Sequence, residues 1–319
     1  MPEKAILGID TSCYTTSLAL MGEDGVLLAD CRKVLTVSHG RKGLAQSEMV
    51  YQHTRNLPAL VEQLPLRDVD VEVICVSERP RPREDSYMPA FLPGLGLGRS
   101  LAKILHIPRI DSTHQHNHLY AVLWSLKQKP RERFLLAHIS GGTTDFLLCK
   151  KEIENPLGVS FTPLGTSIDL HAGQFIDRVG VALGLSFPTG AQLETLAKKA
   201  GKPLPLKVWT AQNQMSLSGP CSAALRAIQQ GADPAAVALG TEQCIARGLA
   251  NVLLHLCKKE SIQDVYLCGG VSANHEIRQQ LQKNLVPSSI KIWAGTPACS
   301  VDGAVGNAWL GVQKVRNFL

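Results

Sequence analysis

Three histidines stand close together in the segment His114-Gln-His116-Asn-His118. If this segment is helical, His114 and His118 lie one turn apart on the same face, and His116 points elsewhere. Two imidazoles at this spacing can chelate a divalent metal ion. The alternative is a solvated polar start of a helix, with Ser112 or Thr113 as its N-cap. The residues alone leave both interpretations open.

Two segments combine small residues, hydroxyl groups and one acid. Residues 8–17 are Gly-Ile-Asp-Thr-Ser-Cys-Tyr-Thr-Thr-Ser, and residues 140–146 are Ser-Gly-Gly-Thr-Thr-Asp-Phe. Small residues let backbone N–H groups approach phosphate oxygens, and the hydroxyls add donors. The acids, Asp10 and Asp145, suit outer-sphere binding of Mg²⁺ or the orientation of a water molecule. Two ordinary polar hairpin turns would have the same composition.

A third segment, residues 265–274, is Val-Tyr-Leu-Cys-Gly-Gly-Val-Ser-Ala-Asn and precedes a predicted helix. A strand that ends in Gly269-Gly270, followed by a helix with Asn274 at its start, suits close packing against an adenosine. Taken alone this pattern is weak evidence, and it gains weight from the two turns that precede it.

The elements that position these segments alternate between strands and helices, which indicates an α/β architecture. Predicted strands cover residues 5–9, 17–21, 25–31, 71–76, 135–139, 146–149, 265–268 and 290–293. Predicted helices cover residues 47–64, 94–105, 114–126, 168–183, 190–200, 234–258, 274–285 and 303–315. Pro58 is expected to bend or interrupt the first helix. A strand–turn–strand unit occurs once in each half of the chain.

Composition sets the outer limits of the interpretation. The chain has 319 residues, of which 45% are hydrophobic, enough for about two domains. Nine cysteines, an odd number without a Cys-x-x-Cys pair, are expected to be reduced and neither disulfide-bonded nor zinc-binding. A net charge of +6 permits an anionic partner without proving one. No apolar run reaches the length of a membrane span, so we expect a cytoplasmic protein without membrane association.

The two turns and the glycine-rich third segment, in this order, resemble the phosphate-one, phosphate-two and adenosine segments of the actin, sugar-kinase and heat-shock ATPase (ASKHA) superfamily. The resemblance implies two lobes, each with a mixed five-stranded sheet and flanking helices, and a nucleotide in the cleft between them. The last helix would cross back to the first lobe. The implied domains are residues 1–112 with 304–319 and residues 113–303.

A more specific resemblance covers nearly the whole chain. Seven motifs occur in order: Thr-Ser-Cys after the first strand, His-x-x-x-His-Leu, Ser-Gly-Gly-x-Thr, Phe-Ile-Asp-Arg, Pro-Thr-Gly, Ser-Leu-Ser-Gly and Gly-Gly-Val-Ser-Ala-Asn. They resemble the TsaD family of tRNA threonylcarbamoyltransferases. The family implies transfer of a threonylcarbamoyl group from an adenylate to N6 of the adenosine beside the anticodon. It also implies a metal, iron or zinc, held by two histidines and a late aspartate.

The residues and the resemblance together define the expected site. We expect His114, His118 and Asp302 to hold the metal, and Asp10, Ser12 and Asp145 to be catalytic. The expected nucleotide- and substrate-binding residues are Ile139, Ser140, Gly141, Gly142, Thr143, Asp177, Gly190, Gly269, Gly270 and Asn274. The expected cofactors are a divalent iron or zinc ion, ATP or an adenylate, and Mg²⁺ as a further candidate. The expected partners are tRNA and a TsaB-like protein or a second copy, bound through the N-terminal lobe.

The sequence departs from the family pattern around catalysis and acceptor access. The family's closing Cys-Thr-Asp-Asn-Gly-Ala is here Cys-Ser-Val-Asp-Gly-Ala, so Val301 takes the position of the metal-binding aspartate. Asp302 then becomes a ligand only if the start of the last helix shifts by one residue. Thr143 replaces a histidine of the family, and Cys221 replaces a lysine. These changes suggest a divergent member or paralogue; the alternatives are a different carbamoyl acceptor, a non-catalytic nucleotide-binding subunit, or a kinase.

The family's Gly-Pro-Gly loop is replaced by a longer segment that contains Arg79-Pro-Arg-Pro-Arg83. Alternating prolines favour an extended backbone, and three guanidinium groups there should face solvent or an anionic partner. One hypothesis is that this segment borders the cleft and selects the acceptor. The alternative is a solvated charge run in which Glu84 and Asp85 fold back onto the arginines.

Overall fold

The computed structural model describes residues 2–37 and 43–316. Its two mixed sheets lie in a stack of five layers, in which helices cover both outer faces and two more helices lie between the sheets. None of the helices in the described residues combines the length and apolarity needed to cross a bilayer.

The first sheet has five strands, as the sequence predicts, in the order β3-β2-β1-β4-β5. Their bounds are Glu3–Ser12 (β1), Thr15–Gly22 (β2), Leu27–Val34 (β3), Val69–Arg79 (β4) and Arg109–Thr113 (β5). The strands β1, β2 and β3 form an antiparallel meander, and β4 and β5 run parallel to β1. Parallel pairing places the carboxyl ends of β1, β4 and β5 at one edge of the sheet. This edge carries Asp10, the arginine segment and His114.

The second sheet repeats this order and then extends it, so the prediction of five strands for this lobe is wrong. Its order is β12-β11-β6-β7-β8-β10-β9, seven strands in all. The bounds are Arg133–Ile139 (β6), Thr144–Lys151 (β7), Val159–Ser167 (β8), Trp209–Ala211 (β9), Gln214–Ser216 (β10), Asp264–Cys268 (β11) and Lys291–Ala294 (β12). The five strands from β12 to β8 match the first sheet in order and direction. The additional hairpin β9–β10 pairs with β8 through only two residue pairs, and strands of three residues are too short to show periodicity.

Ten helices of the described chain pack on these sheets. Their bounds are Gln46–Val61 (α1), Leu92–Leu105 (α2), His114–Ser125 (α3), Ala172–Ala182 (α4), Gly190–Ala197 (α5), Ser218–Gln229 (α6), Pro234–Glu260 (α7), His275–Leu285 (α8), Pro297–Ser300 (α9) and Val305–Val315 (α10). Helix α1 continues through Pro58 without interruption, since the proline lies only one turn from its end. Strand β8 and helix α6 were not predicted. Helix α4 begins four residues later than predicted, because Asp169 accepts hydrogen bonds from the backbone N–H groups of Leu217 and Ser218 at the start of α6.

Alternation along the strands decides which layer each residue joins. In β6, Leu135 and Ala137 face the outer helices, whereas Phe134 and Leu136 face α3. Helix α10 packs on the inner face of the first sheet and against α3, as expected for a last helix that crosses back. The segments 8–17 and 140–146 therefore lie at the ends of two sheets, with α3 between them.

Candidate metal and nucleotide site

The start of α3 buries His116 and His118 and leaves only 12% of the His114 side chain exposed, so the segment is not a solvated helix start. Thr113 is the N-cap, and its hydroxyl accepts a hydrogen bond from the backbone N–H of His116. His116 is held within the core, with Nδ1 2.7 Å from Thr113 Oγ1 and Nε2 2.9 Å from the carbonyl of Val159. His114 and His118 share the other face, with ring centres 4.3 Å apart. His118 is only 2% exposed.

Asp302 joins these two histidines despite the departure from the family pattern. Helix α9 ends at Ser300, Val301 is extended and 39% exposed, and α10 starts at Val305 instead of Gly303. The displaced helix start turns the Asp302 carboxylate inward. Its Oδ1 lies 3.4 Å from Nε2 of His118 and 3.6 Å from Nε2 of His114. We call these three residues the His–Asp cluster.

The His–Asp cluster fits a divalent transition metal. Its three ligand atoms all lie within 4.8 Å of one another. Zinc bonds of about 2.0–2.1 Å to nitrogen or oxygen place neighbouring tetrahedral ligands about 3.3 Å apart, close to the measured separations from Asp302. Within the described chain, Nε2 of His118 is buried without a hydrogen-bond partner, as expected for a nitrogen reserved for a ligand. Two imidazoles and a carboxylate suit zinc or iron(II).

Asp10 lies behind the cluster and orients it. Its Oδ2 is 2.9 Å from Nδ1 of His114, which directs Nε2 of that ring toward Asp302. Burial raises the pKa of Asp10, but the charge and hydrogen bond of His114 lower it overall. Burial lowers the pKa of His114, but Asp10 and Asp302 raise it to about 10. Metal binding at His114 therefore competes with a proton.

The other residue of this turn that was expected to be catalytic, Ser12, is also buried. Its backbone N–H donates to Oδ1 of Asp10 at 3.0 Å, and among the described residues its hydroxyl has no hydrogen-bond partner. Asp10 thus lies beside the His–Asp cluster and acts on it through His114, whereas Ser12 reaches the cluster only through its backbone hydrogen bond to Asp10.

Two asparagines that the sequence analysis missed join α3, α10 and the first sheet. Asn117 donates to Asp10 Oδ2 and to the carbonyl of Gly303, and its own Oδ1 accepts from the backbone N–H of Asn307. Asn307 in turn donates to the carbonyl of Ile9. No sequence motif indicated these two asparagines, because their hydrogen-bond partners come from distant parts of the chain and leave no local pattern.

The second turn is open on its outer side. A Cβ atom added at Gly141 or Gly142 would meet nothing within 4 Å, and both residues are exposed. Ser140 closes the turn by a backbone hydrogen bond with the carbonyl of Thr143, at 2.7 Å. Exposed backbone N–H groups in such a turn can receive an anion.

The third segment lies directly against the second turn. Gly269 has a positive φ of 89°, and a Cβ there would lie 2.4 Å from the carbonyl oxygen of Ile139. Only glycine permits this approach without displacing the strand. Gly270 is exposed next to it. The structure therefore brings the second turn and Gly270 together, whereas the predicted residue Ile139 has its side chain fully buried in the core beneath the outer helices.

Two other predicted nucleotide-binding residues, Asp177 and Asn274, carry structural hydrogen bonds. Oδ1 of Asp177 accepts from the backbone N–H and the hydroxyl of Thr189, which leads into α5 and its open first residue, Gly190. Asn274 caps α8 through its Oδ1, and its Nδ2 donates to Glu242 at 2.6 Å. Both ends of the Asn274 amide are thus engaged within the protein.

Glu242 is a buried carboxyl that the sequence analysis missed. Burial, followed by smaller effects that include the nearby charges of Glu194 and Glu276, raises its pKa to about 7. Its Oε2 has no hydrogen-bond partner among the described residues. A glutamate in the middle of a long apolar helix offered no pattern to distinguish it from a surface charge.

Two arginines of the arginine segment agree with the hypothesis of a solvated charge run, and one agrees with the hypothesis of a segment that borders the cleft. Arg83 pairs with Asp85, and Arg79 pairs with Glu78, each at 2.7 Å, as in a solvated charge run. Arg81 instead reaches the second sheet and contacts Oδ2 of Asp145 at 2.9 Å.

The Asp145 carboxylate is therefore held from both sheets. Its second oxygen accepts from Thr166 at 3.0 Å. Arg81, Asp145 and Thr166 form a polar bridge beside the second turn.

Comparison with known proteins is consistent with this geometry. The family model for tRNA N6-adenosine threonylcarbamoyltransferase (TsaD) matches residues 42–298. The enzyme of that name from Anoxybacillus flavithermus is 28% identical over 296 residues, 88% of this chain and 82% of the relative. The Bacillus subtilis enzyme is 27% identical over 292 residues, 87% of this chain and 81% of the relative.

Solved structures match the fold. The T. kodakarensis HypF protein aligns with a TM-score of 0.59 at 14% identity, over 100% of this chain and 49% of that protein. Component A of the Acidaminococcus fermentans (R)-2-hydroxyglutaryl-CoA dehydratase aligns with a TM-score of 0.56 at 16% identity, over 98% and 99%. These alignments confirm the expected two-lobed actin-like (ASKHA) fold. With the match of the family model over most of its length, the chain belongs to the TsaD family of tRNA N6-adenosine threonylcarbamoyltransferases.

Proposed function

We propose that this protein transfers a threonylcarbamoyl group from an adenylate to N6 of the adenosine beside the anticodon in tRNA. The observation that carries the proposal is the His–Asp cluster near the second turn, whose two histidines stand at the family's His-x-x-x-His motif. The displaced start of α10 keeps an aspartate at this cluster even though the family's position holds Val301.

The second turn and the third segment provide the proposed site for the adenylate. A Cβ at Gly141, Gly142, Gly190 or Gly270 would meet nothing within 4 Å, so no side chain obstructs a phosphate at these positions. The N–H of Gly142 donates to Oγ of Ser140 at 3.3 Å, and a bound phosphate would take the place of that hydroxyl. Asp177 and Asn274 act indirectly, because they fix the starts of α5 and α8. Thr143 supplies a hydroxyl where the family has a histidine.

The proposed metal is held by His114, His118 and Asp302, with iron or zinc as the ion. A bound divalent ion at this position polarises a carbonyl or carbamate oxygen as a Lewis acid. Asp10 fixes the ring of His114, and Asn117 fixes Asp10, so the ligand set is pre-organised by the protein. Asp145 remains a candidate for orienting water or Mg²⁺ beside the phosphates when Arg81 pairs with another anion and releases its carboxylate.

We propose that tRNA approaches along the arginine segment. Arg81 is half-exposed beside the second turn, where a phosphate could replace Asp145 as its partner. Arg79 and Arg83 each have a local acid, which reduces their contribution to an anionic surface. Replacement of Arg81 by Ala should therefore weaken tRNA binding and flatten its salt dependence more than replacement of Arg83.

A partner surface is proposed on the N-terminal lobe. Helices α1 and α2 border an apolar groove of about 480 Å³ whose lining includes Leu57, Pro58, Val61, Pro93 and Leu97. A TsaB-like protein or a second copy is the proposed occupant. We also propose a cytoplasmic location, and the division into residues 1–112 with 304–319 and residues 113–303.

Complementation tests the proposed reaction. A strain depleted of its own threonylcarbamoyltransferase should regain N6-threonylcarbamoyladenosine in its tRNA when this chain is expressed, measured by mass spectrometry of nucleosides. Gly142→Arg, which fills the second turn, should not restore the nucleoside. Gly219→Ala, where an added Cβ meets nothing within 4 Å, is the matched control and should restore it. The proposed acceptor would be contradicted if soluble wild-type protein failed to restore the nucleoside. This failure would have to occur both when the chain is expressed alone and when it is expressed together with partner proteins from its own source.

A further inference from the structure

His138 is a buried histidine for which the proposed reaction has no role. It is 3% exposed and lies on β6 directly before Ile139. Among the buried histidines of the described chain, it alone has both ring nitrogens enclosed without a hydrogen-bond partner. An imidazole is rarely buried in this way, because each ring nitrogen loses water without gaining a partner. A ligand that is not part of the polypeptide would provide the missing partner.

The position of His138 follows from strand parity. Its neighbours Ala137 and Ile139 face the outer helices, so the side chain of His138 points to the inner face, toward α3. Gly269 packs against the Cδ2 edge of the ring, because a Cβ there would lie 3.0 Å from that atom. Nδ1 is on the opposite edge of the ring. Gly269 thus limits movement of the ring in the direction of its Cδ2 edge.

The three ring positions can be compared with those around one metal ion. A ligand nitrogen lies about 2.1 Å from the ion, which puts the centre of its ring about 3.2 Å away. Two such rings have centres about 4.5 Å apart at a right angle and about 6.4 Å apart on opposite sides of the ion. The observed separations are 4.3 Å for His114 and His118, 4.8 Å for His118 and His138, and 6.3 Å for His114 and His138. By ring centres, His118 thus matches a ring at a right angle to both others, and those two match rings on opposite sides. As the rings stand, the described ligand atoms that all lie within 4.8 Å of one another belong to His114, His118 and Asp302, so coordination by His138 requires its ring to turn.

We propose that His138 is a third imidazole ligand of the metal at the His–Asp cluster. The donor set becomes three histidine nitrogens and one carboxylate oxygen, which favours a transition metal over Mg²⁺ or Ca²⁺. Two imidazoles on opposite sides of the ion suit octahedral coordination, as of iron(II), better than tetrahedral zinc. Because His138 immediately precedes Ile139 and the second turn, a bond to it also couples the metal to the phosphate-binding surface. The proposal rests on the proposed function only in its assumption that a divalent ion binds to His114, His118 and Asp302.

Counting the coordinated imidazoles tests the proposal without requiring transfer activity. The purified full-length protein is stripped by a chelator, loaded with Cu²⁺ as a probe, and examined by pulsed electron paramagnetic resonance. We expect three coordinated imidazoles in the wild type and two in His138→Gln. Zinc affinity, measured by competition with a chelator, should fall by more than the ~10–100-fold typical of residues that only support a ligand.

The control is His116→Gln, a buried histidine on α3 whose ring nitrogens both have protein partners. It should keep three coordinated imidazoles. His138→Leu provides a second variant that fills the same space without a donor, and circular dichroism establishes that each variant is folded. Two imidazoles in the wild type, or an unchanged number in both His138 variants, would overturn the proposal while leaving a two-histidine metal site intact. A wild type that binds no metal would overturn the metal part of the proposed function as well, whereas complementation tests the transfer separately.

Discussion

Glu242 should make the stability of this protein decline as pH rises through the neutral range. Its carboxyl is fully buried on α7, and burial raises its pKa from 4.5 to about 7. Between these values the folded protein binds a proton that the unfolded chain has released, so folding becomes less favourable as pH increases. The stabilising effect of the neutral carboxyl is complete below pH 4.5 and is lost above pH 7.

The size of the effect follows from the two pKa values. Each unit of difference corresponds to about 1.4 kcal/mol, so an ionised Glu242 lowers the free energy of unfolding by about 3 kcal/mol above pH 7. At pH 5 the loss is only about 1 kcal/mol, because the unfolded carboxyl is then only partly ionised. Glu242→Gln cannot ionise and keeps the oxygen that accepts from Asn274. Relative to the wild type, this variant should gain about 2–3 kcal/mol between pH 5 and pH 8.

Urea unfolding of both proteins at pH 5, 6.5 and 8, followed by circular dichroism, measures this difference. Carbon NMR of the labelled Glu242 carboxyl gives its midpoint of titration directly. Glu154→Gln, at an exposed position, removes the same charge and should show a difference that varies little with pH. The reasoning is refuted if the stability difference for Glu242→Gln is constant over this range, or if the carboxyl titrates near pH 4.5.

Three further predictions concern the site and its frame. Gly306→Ala should reduce thermal stability strongly, by about 3 kcal/mol or more, because its Cβ would lie 1.7 Å from the carbonyl oxygen of Asn117; melting of Gly219→Ala, where space is open, should be almost unchanged. Asp10→Asn should lower zinc affinity about 10–100-fold in a folded protein, measured by chelator competition, and an unchanged affinity would show that Asp10 does not support His114. Gly142→Arg should abolish binding of ATP or AMP in calorimetric titration; equal binding by wild type and variant would place the nucleotide elsewhere.

The sequence was most informative where chemistry depends on local spacing. The i, i+4 histidines identified one face of α3, and the glycine- and hydroxyl-rich turns correctly marked the ends of two corresponding strand pairs. These features depend on residues within one helical turn or one hairpin, which fold together. Apolar strands and long amphipathic helices were located for the same reason. The ordered motifs then identified the family and the fold.

Errors arose where a short element depends on distant contacts. The hairpin β9–β10 has too few residues for a period, and it forms because β8 offers a free edge. The start of α4 is displaced because Asp169 is held by the segment before α6. Helix α1 passes through Pro58 because the proline removes a hydrogen bond only near the helix end. The hairpin and the start of α4 depend on partners that are not adjacent in sequence, whereas the course of α1 past Pro58 has a local cause.

The sequence by itself determined the ligand types, the two turns and the family. Only the tertiary structure decided which groups meet. It brought Asp302 to His114 and His118 by moving the start of α10, and it placed Asp10 behind the ligands instead of in the open site. It also placed His138 beside them from a strand of the second sheet. The physical reason is that the His–Asp cluster draws its residues from α3 and from the turn before α10, nearly 190 positions apart, and their approach is fixed by the packing of α3 and α10 between the two sheets.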